Sequence, residues 1–181
     1  MMKKALMVSV VVALLAGCGD KMNGPLGFEW EMTVAEIKSL GYPNTKCDVE
    51  GEYCTLKASP DKKSPFSSYL LSFDERGKLK GIVASSDGTD KDSWDFIDGE
   101  KKYKQVSDYL SQSYGEPTKI DEYINNKEEK FYRCLEIKGC GKWERRYEDK
   151  NTIINQDIRI NDQWNFSNPE KGYVTAVFLK K

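Results

Sequence analysis

Apolar residues recur at helical spacing in two segments of the chain, and each segment carries its own boundary signals. The first predicts a helix of about two turns, whose apolar face holds Val34, Ile37 and Leu40. Thr33 and Glu36 have the spacing of an N-terminal capping box. Gly41 and Pro43 then prevent the helix from continuing.

The second helix is predicted from about Asp98 to Tyr114. Its apolar face holds Tyr103, Val106 and Leu110. Gly115 and Pro117 end this helix in the same way as Gly41 and Pro43 end the first.

Segments of alternating apolar and polar residues, bounded by glycine or polar turns, predict a series of strands. They cover residues 53–58, 68–73, 79–85, 120–125, 130–138, 142–148, 152–160 and 173–179. Gly77, in the link 74–78, suits a tight hairpin loop because glycine accepts a positive φ. Hairpin-joined strands with separate helices predict an α+β fold, in which antiparallel meanders carry two helices on one face.

The order of helix, Gly-x-Pro stop and meander occurs twice, which suggests halves at residues 28–92 and 93–181. The apolar faces of the two helices do not superpose when their stops are aligned. A tandem helix-meander repeat and a single domain over 28–181 therefore remain alternatives. Residues 161–171, which contain Asn168-Pro169, are predicted to form a surface loop before the last strand.

The N-terminus has basic residues, an apolar run too short to span a membrane, and then Leu15-Ala16-Gly17-Cys18. This order resembles the lipobox of bacterial lipoproteins. The resemblance implies a signal peptide over 1–17, acyl chains on Cys18 that bind the bilayer, and a lipidated tether over 18–27. Gly19 stands where family sorting rules place aspartate in inner-membrane lipoproteins, so the outer membrane is expected, with the domain facing the periplasm or the cell surface. The alternative is an ordinary cleaved signal followed by a chance cysteine.

Charge and composition exclude one class of partner. Removal of residues 1–17 leaves 26 basic and 29 acidic residues, a net charge of −3, with the two signs interspersed. Nucleic-acid binding, which needs a concentrated basic face, is not supported. The aromatic content of 12% predicts a folded chain.

The remaining cysteines form two local pairs, Cys47 with Cys54 and Cys134 with Cys140. Disulfides persist in exported proteins, and a glycine near each short segment allows a hairpin-like turn to bring the partners together. A zinc site is the competing interpretation, but neither spacing suits it and the chain has no histidine. We therefore predict two local disulfides.

The sequence marks out no catalytic group. Without histidine, an enzyme would depend on carboxylates or lysine, and no acidic pair is distinguished by its spacing or its apolar neighbourhood. Residues 87–100 are rich in acids, but they lack the alternating ligands and central glycine of an EF-hand loop. We therefore expect neither a cofactor nor a resident metal ion.

Trp143, Arg145 and Tyr147 fall on one side of a predicted strand, and these residue types are enriched at protein interfaces. They are candidate partner-binding residues. The alternative places Trp143 and Tyr147 in the core, with the arginine paired across strands. Trp30 is similarly either a core residue or an anchor near the membrane.

Two further stretches, residues 27–33 and Cys140-Gly141-Lys142-Trp143, resemble segments of uncharacterised exported proteins of Gram-negative bacteria. Those proteins often carry glycine where Glu31 stands here. The predicted architecture is similar to outer-membrane assembly lipoproteins of the BamE type and to β-lactamase-inhibitor modules. These resemblances concern architecture only, because function does not follow from fold. A disulfide-clipped sheet on a lipid tether suits binding, and no residue pattern suits catalysis, so we expect a non-enzymatic protein that binds an envelope protein, as an assembly accessory or as an inhibitor or immunity-type factor. The alternative is an envelope-polymer hydrolase that uses carboxylates.

Overall fold

The computed structural model describes residues 24–90, 97–126, 128–160 and 171–181. The predicted leader, the predicted lipidation site Cys18, residues 91–96 of the acidic segment and loop residues 161–170 lie outside this part of the chain. The helices are α1 (Val34–Ser39), α2 (Ile97–Tyr114) and α3 (Phe131–Glu136). The strands are β1 (Lys46–Cys47), β2 (Tyr53–Leu56), β3 (Ser68–Phe73), β4 (Leu79–Ser85), β5 (Thr89–Asp90), β6 (Lys119–Ile124), β7 (Gly141–Glu148), β8 (Thr152–Ile160) and β9 (Lys171–Lys180).

All strands join one antiparallel sheet, which confirms the predicted fold class. The order across the sheet is β1-β2-β3-β4-β9-β8-β7-β6, and β5 pairs with one end of β9. The meander β1–β4 follows α1, and the meander β6–β9 follows α2. The last strands of the two meanders, β4 and β9, pair at the centre of the sheet.

The core lies on the face of the sheet that the helices cover. Ile37 of α1 and Leu110 of α2 are both fully buried there. The sheet residues that join them alternate along their strands and include Leu71, Ile82, Ala84, Tyr147, Ile154, Ala176 and Phe178. Burial of this apolar surface supplies the main driving force for folding.

The start and end of α1 confirm its predicted boundary signals. The Thr33 and Glu36 side chains each bond to the other's backbone N–H, which completes the capping box. Gly41 follows the helix with φ +70°, a left-handed conformation that glycine adopts without steric cost. Gly115 ends α2 with φ +88°.

The folded part of the chain begins before the predicted boundary at residue 28. Residues Pro25–Gly27 form a single 3-10 turn, and Leu26 is only 2% exposed. Trp30 also packs against the core, and its indole N–H donates to the Thr152 hydroxyl at 3.3 Å. This packing favours the core interpretation of Trp30.

The prediction of a strand over residues 130–138 is wrong, because Phe131–Glu136 forms α3. Short apolar runs do not distinguish a strand from a helix by periodicity. Here, contacts with residues distant in sequence favour the helix over the strand. The Phe131 ring lies 5.1 Å from the Trp143 ring, and the Tyr132 hydroxyl hydrogen-bonds to that of Thr89.

Both predicted disulfides are confirmed. Cys47 and Cys54 lie directly opposite each other in the β1–β2 pair. Cys134 and Cys140 are also bonded, but they join α3 to the start of β7 rather than two hairpin strands. In each meander, the disulfide therefore closes the connection between the first and second strands.

Candidate functional site

The candidate functional site is the face of the sheet opposite the core, which we call the open face. Side chains alternate along a strand, so the neighbours of core residues point to this face. In the part of the chain that the structure describes, all three helices place their buried residues on the other side. Around Val83 and Leu179 the open face is therefore available for contacts with other molecules, whereas Ser85 and Thr175, towards the other end of the same face, are fully buried.

An apolar patch crosses the centre of the open face. It consists of Leu70 on β3, Val83 on β4, Val177 and Leu179 on β9, and Ile153 on β8. Val83 stands opposite both Leu70 and Val177, and Leu179 stands opposite Ile153. Leu179 is 42% exposed, while Val83 and Val177 are half-buried. A contiguous apolar patch outside the core is typical of a binding surface.

The half of the open face formed by β1–β4 is concave. Its concavity has a volume of about 1210 Å³, and its floor includes Thr55, Leu70, Ser72 and Val83. Tyr53 stands at its edge and is 48% exposed. An exposed aromatic ring beside a floor of apolar and hydroxyl side chains is an arrangement found at protein interfaces.

Charged residues dominate the other half of the open face. Asp121, Glu144 and Asp157 stand in one row across β6, β7 and β8. The Lys142 ammonium lies 2.6 Å from the Asp121 carboxylate and 2.9 Å from that of Glu144. These hydrogen bonds raise the pKa of Lys142, and the bond from Lys142 lowers the pKa of Asp121. This half presents a fixed pattern of both charges, which favours one partner orientation over others.

Asp157 differs from its neighbours in this row. Partial burial raises the pKa of its carboxyl group, and the Glu144 carboxylate adds to the effect. A hydrogen bond from the Thr175 hydroxyl and the nearby Arg159 guanidinium, at 3.1 Å, oppose the rise. The carboxyl groups of Glu144 and Asp157, which stand opposite each other on β7 and β8, thus lie in different environments.

The structure places Trp143, Arg145 and Tyr147 on the helix-covered side. The Trp143 ring packs 5.1 Å from the Tyr103 ring, and Tyr147 is fully buried. Arg145 donates to both carboxylate oxygens of Glu122. A partner could not reach Tyr147 without opening the core, so this placement favours the core interpretation.

Sequence reasoning missed the apolar patch, although a signal for it exists. Successive residues in 82–84 and in 176–179 are apolar, whereas a strand with one solvated face alternates. Such runs indicate strands with apolar side chains on both faces. Asp48, Glu50 and Glu52 form a further acidic group near the first disulfide, and their carboxylate oxygens lie within 4.8 Å of one another.

No protein-family model matches this chain, and neither does any curated protein or solved structure. Within the described ranges, no helix combines the length and the apolar character needed to cross a membrane.

Proposed function

We propose that this protein is a bacterial lipoprotein, attached to a bilayer through acyl chains on Cys18, whose domain binds an envelope protein through the open face. The binding role is non-enzymatic, as an assembly accessory or as an inhibitor or immunity-type factor. The outer membrane is the proposed location, with the domain in the periplasm or at the cell surface. The apolar patch around Val83 and Val177, on a sheet face that no described helix covers, is the observation that carries this proposal.

Three features support binding of a folded protein at a bilayer. The open face has an apolar centre and a charged flank, which is the anatomy of a specific interface. The face is built on strands of a single sheet closed by two disulfides, so little conformational entropy is lost on binding. Several acyl chains hold a protein stably at a bilayer, where the partner would be met.

Position-specific crosslinking tests the binding role. A photoreactive residue replaces Thr55 or Leu70 on the open face, or Lys104 on the exposed side of α2, in the full chain expressed in its native envelope. We expect the same partner band from both open-face positions and none from position 104. A second substitution, Val83→Glu, should abolish the band because it buries a charge against the partner's apolar surface.

Two outcomes contradict the binding role. One is equal crosslinking from position 104 and the open face, and the other is a partner band that survives Val83→Glu in a folded variant. Circular dichroism of Val83→Glu confirms that the variant is folded. Lys104→Glu is the matched charge-changing control.

Attachment through Cys18 is tested separately by metabolic labelling with palmitate. The wild-type protein should incorporate the label, and Cys18→Ser should not. Equal labelling of both proteins would contradict lipidation at Cys18.

One observation favours a second candidate, a hydrolase of envelope polymers. Glu144 and Asp157 face each other across β7 and β8, and burial raises the pKa of Asp157. Two facing carboxyl groups, one of them with a raised pKa, are the arrangement that acid–base catalysis of glycoside cleavage requires. Purified protein that degrades cell-wall material, with loss of activity in both Glu144→Gln and Asp157→Asn, would establish this candidate and refute the non-enzymatic role.

A further inference from the structure

The chain enters the folded domain beside the loop that joins β2 to β3. The Leu26 carbonyl accepts a hydrogen bond from the Asp61 N–H at 3.1 Å, and the Leu26 N–H donates to the Tyr114 hydroxyl at 3.3 Å. Leu26 is buried, so this attachment is part of the core. The entry point is therefore fixed between the loop around Asp61 and the C-terminal end of α2.

The tether to this entry point is short. Six residue steps separate Cys18 from Gly24, and a fully extended chain of that length spans at most about 20 Å. A domain of this size has a diameter of roughly 40 Å. If Cys18 carries the acyl chains, as the proposed function holds, the end of the domain that contains the entry point must face the bilayer.

That end carries two exposed lysines, Lys62 and Lys63, in the loop beside the entry point. Neither forms a salt bridge with a residue that the structure describes. The neighbouring Asp61 carboxylate is engaged by the Tyr109 hydroxyl at 2.6 Å and by the Lys63 N–H at 2.8 Å. Among the described residues, no carboxylate neutralises either ammonium group.

Two lysines at the C-terminus are instead paired within the protein. The Lys180 ammonium is bonded to the Glu31 carboxylate, and the Lys181 ammonium lies 3.2 Å from that of Glu148.

We propose that Lys62 and Lys63 contact anionic phospholipid headgroups and hold the domain upright on the bilayer. Attraction of lysines to an anionic leaflet acts within about a Debye length, roughly 8 Å at physiological salt, and the short tether keeps the loop near that range. This inference rests on lipidation at Cys18, which is part of the proposed function.

Lysine footprinting on the acylated protein tests the inference. The full mature protein is reconstituted into vesicles of phosphatidylethanolamine with phosphatidylglycerol, or of phosphatidylethanolamine with phosphatidylcholine, and treated with a water-soluble acylating reagent. We expect several-fold protection of Lys62 and Lys63 in the vesicles with phosphatidylglycerol only. Lys104 and Lys138, exposed on α2 and after α3, should react equally in both.

A charge-reversal variant provides a second readout. In Lys62→Glu/Lys63→Glu, the domain should tilt, so that energy transfer from a label at residue 138 to a bilayer dye increases. Lys101→Glu/Lys104→Glu is the matched control and should leave the energy transfer unchanged. Acylated protein whose Lys62 and Lys63 react like Lys138 in both vesicles would overturn the inference, whereas failure of palmitate labelling would instead overturn the proposed attachment.

Discussion

The side chains of Gln156 and Ser107 hydrogen-bond to each other in the core, where α2 packs on the sheet. The Gln156 amide nitrogen donates to the Ser107 hydroxyl at 2.9 Å and to the Tyr103 carbonyl at 3.1 Å. The Tyr147 hydroxyl donates to the Gln156 amide oxygen at 3.2 Å. One buried amide thus links α2, β7 and β8, and fixes the position of the helix on the sheet.

Gln156→Ala should lower the free energy of unfolding by about 3 kcal/mol, because it leaves buried polar groups unpaired and creates a cavity. Urea denaturation measures the change. Asn155→Ala is the matched control, because Asn155 precedes Gln156 in β8 and points to the open face. We expect it to lower the free energy of unfolding by less than about 1 kcal/mol. Equal costs at the two positions would show that the buried hydrogen bonds do not stabilise the fold.

Gly172→Ala should be destabilising by about 2 kcal/mol through its contact with α3. A methyl group at position 172 would come within 2.6 Å of the Tyr132 ring carbon Cζ, and overpacking of this kind forces a buried ring to move. In a Tyr132→Ala background the same substitution should cost little, because the ring is gone. Additive costs in the double-mutant cycle would contradict a direct contact.

Glu31 has the left-handed φ of +72°, which glycine adopts without strain. This conformation turns the chain so that the Glu31 N–H and the Met32 carbonyl both bond to Leu79 at the start of β4. Glu31→Gly should therefore melt about 2 to 4 °C above Glu31→Ala, since both lose the Lys180 contact and only alanine keeps the strain. Equal melting temperatures would argue against backbone strain at residue 31.

The raised pKa of Asp157 predicts a specific pH dependence of stability. The folded protein holds the Asp157 proton more tightly than the unfolded chain does, so this group contributes stability below its ordinary pKa of 3.8. That contribution is lost as the pH rises through the raised folded pKa. The unfolding free energy of Asp157→Asn, relative to wild type, should therefore increase between about pH 3 and about pH 7.

Asp121→Asn is the control with the opposite sign. The Lys142 ammonium lowers the pKa of Asp121, so this carboxylate contributes stability above pH 3.8 that is lost as the pH falls through the lowered pKa. Relative to wild type, Asp121→Asn should become less stable as the pH rises. Urea unfolding at a series of pH values measures both trends, and parallel trends for the two variants would contradict the assignment at Asp157.

Local signals in the sequence are enough to predict most of the elements. The Thr33–Glu36 capping box and the glycines after α1 and α2 act within a few residues, so their effect does not depend on the rest of the fold. Strands β3, β4 and β8 begin and end where the alternating pattern predicts. The two local disulfides follow from short spacings in the same way.

The sequence by itself therefore determined the fold class, most element boundaries and the disulfide pairs, all of which depend on neighbours along the chain. Only the tertiary structure decided that residues 131–136 form a helix, that β4 pairs with β9, and that Val83 and Val177 meet on the open face. These features join residues far apart in sequence. The pattern of apolar and polar residues along one chain does not indicate which distant segments pair. The energy that selects among such pairings comes from packing and buried hydrogen bonds, which exist only once the sheet is assembled.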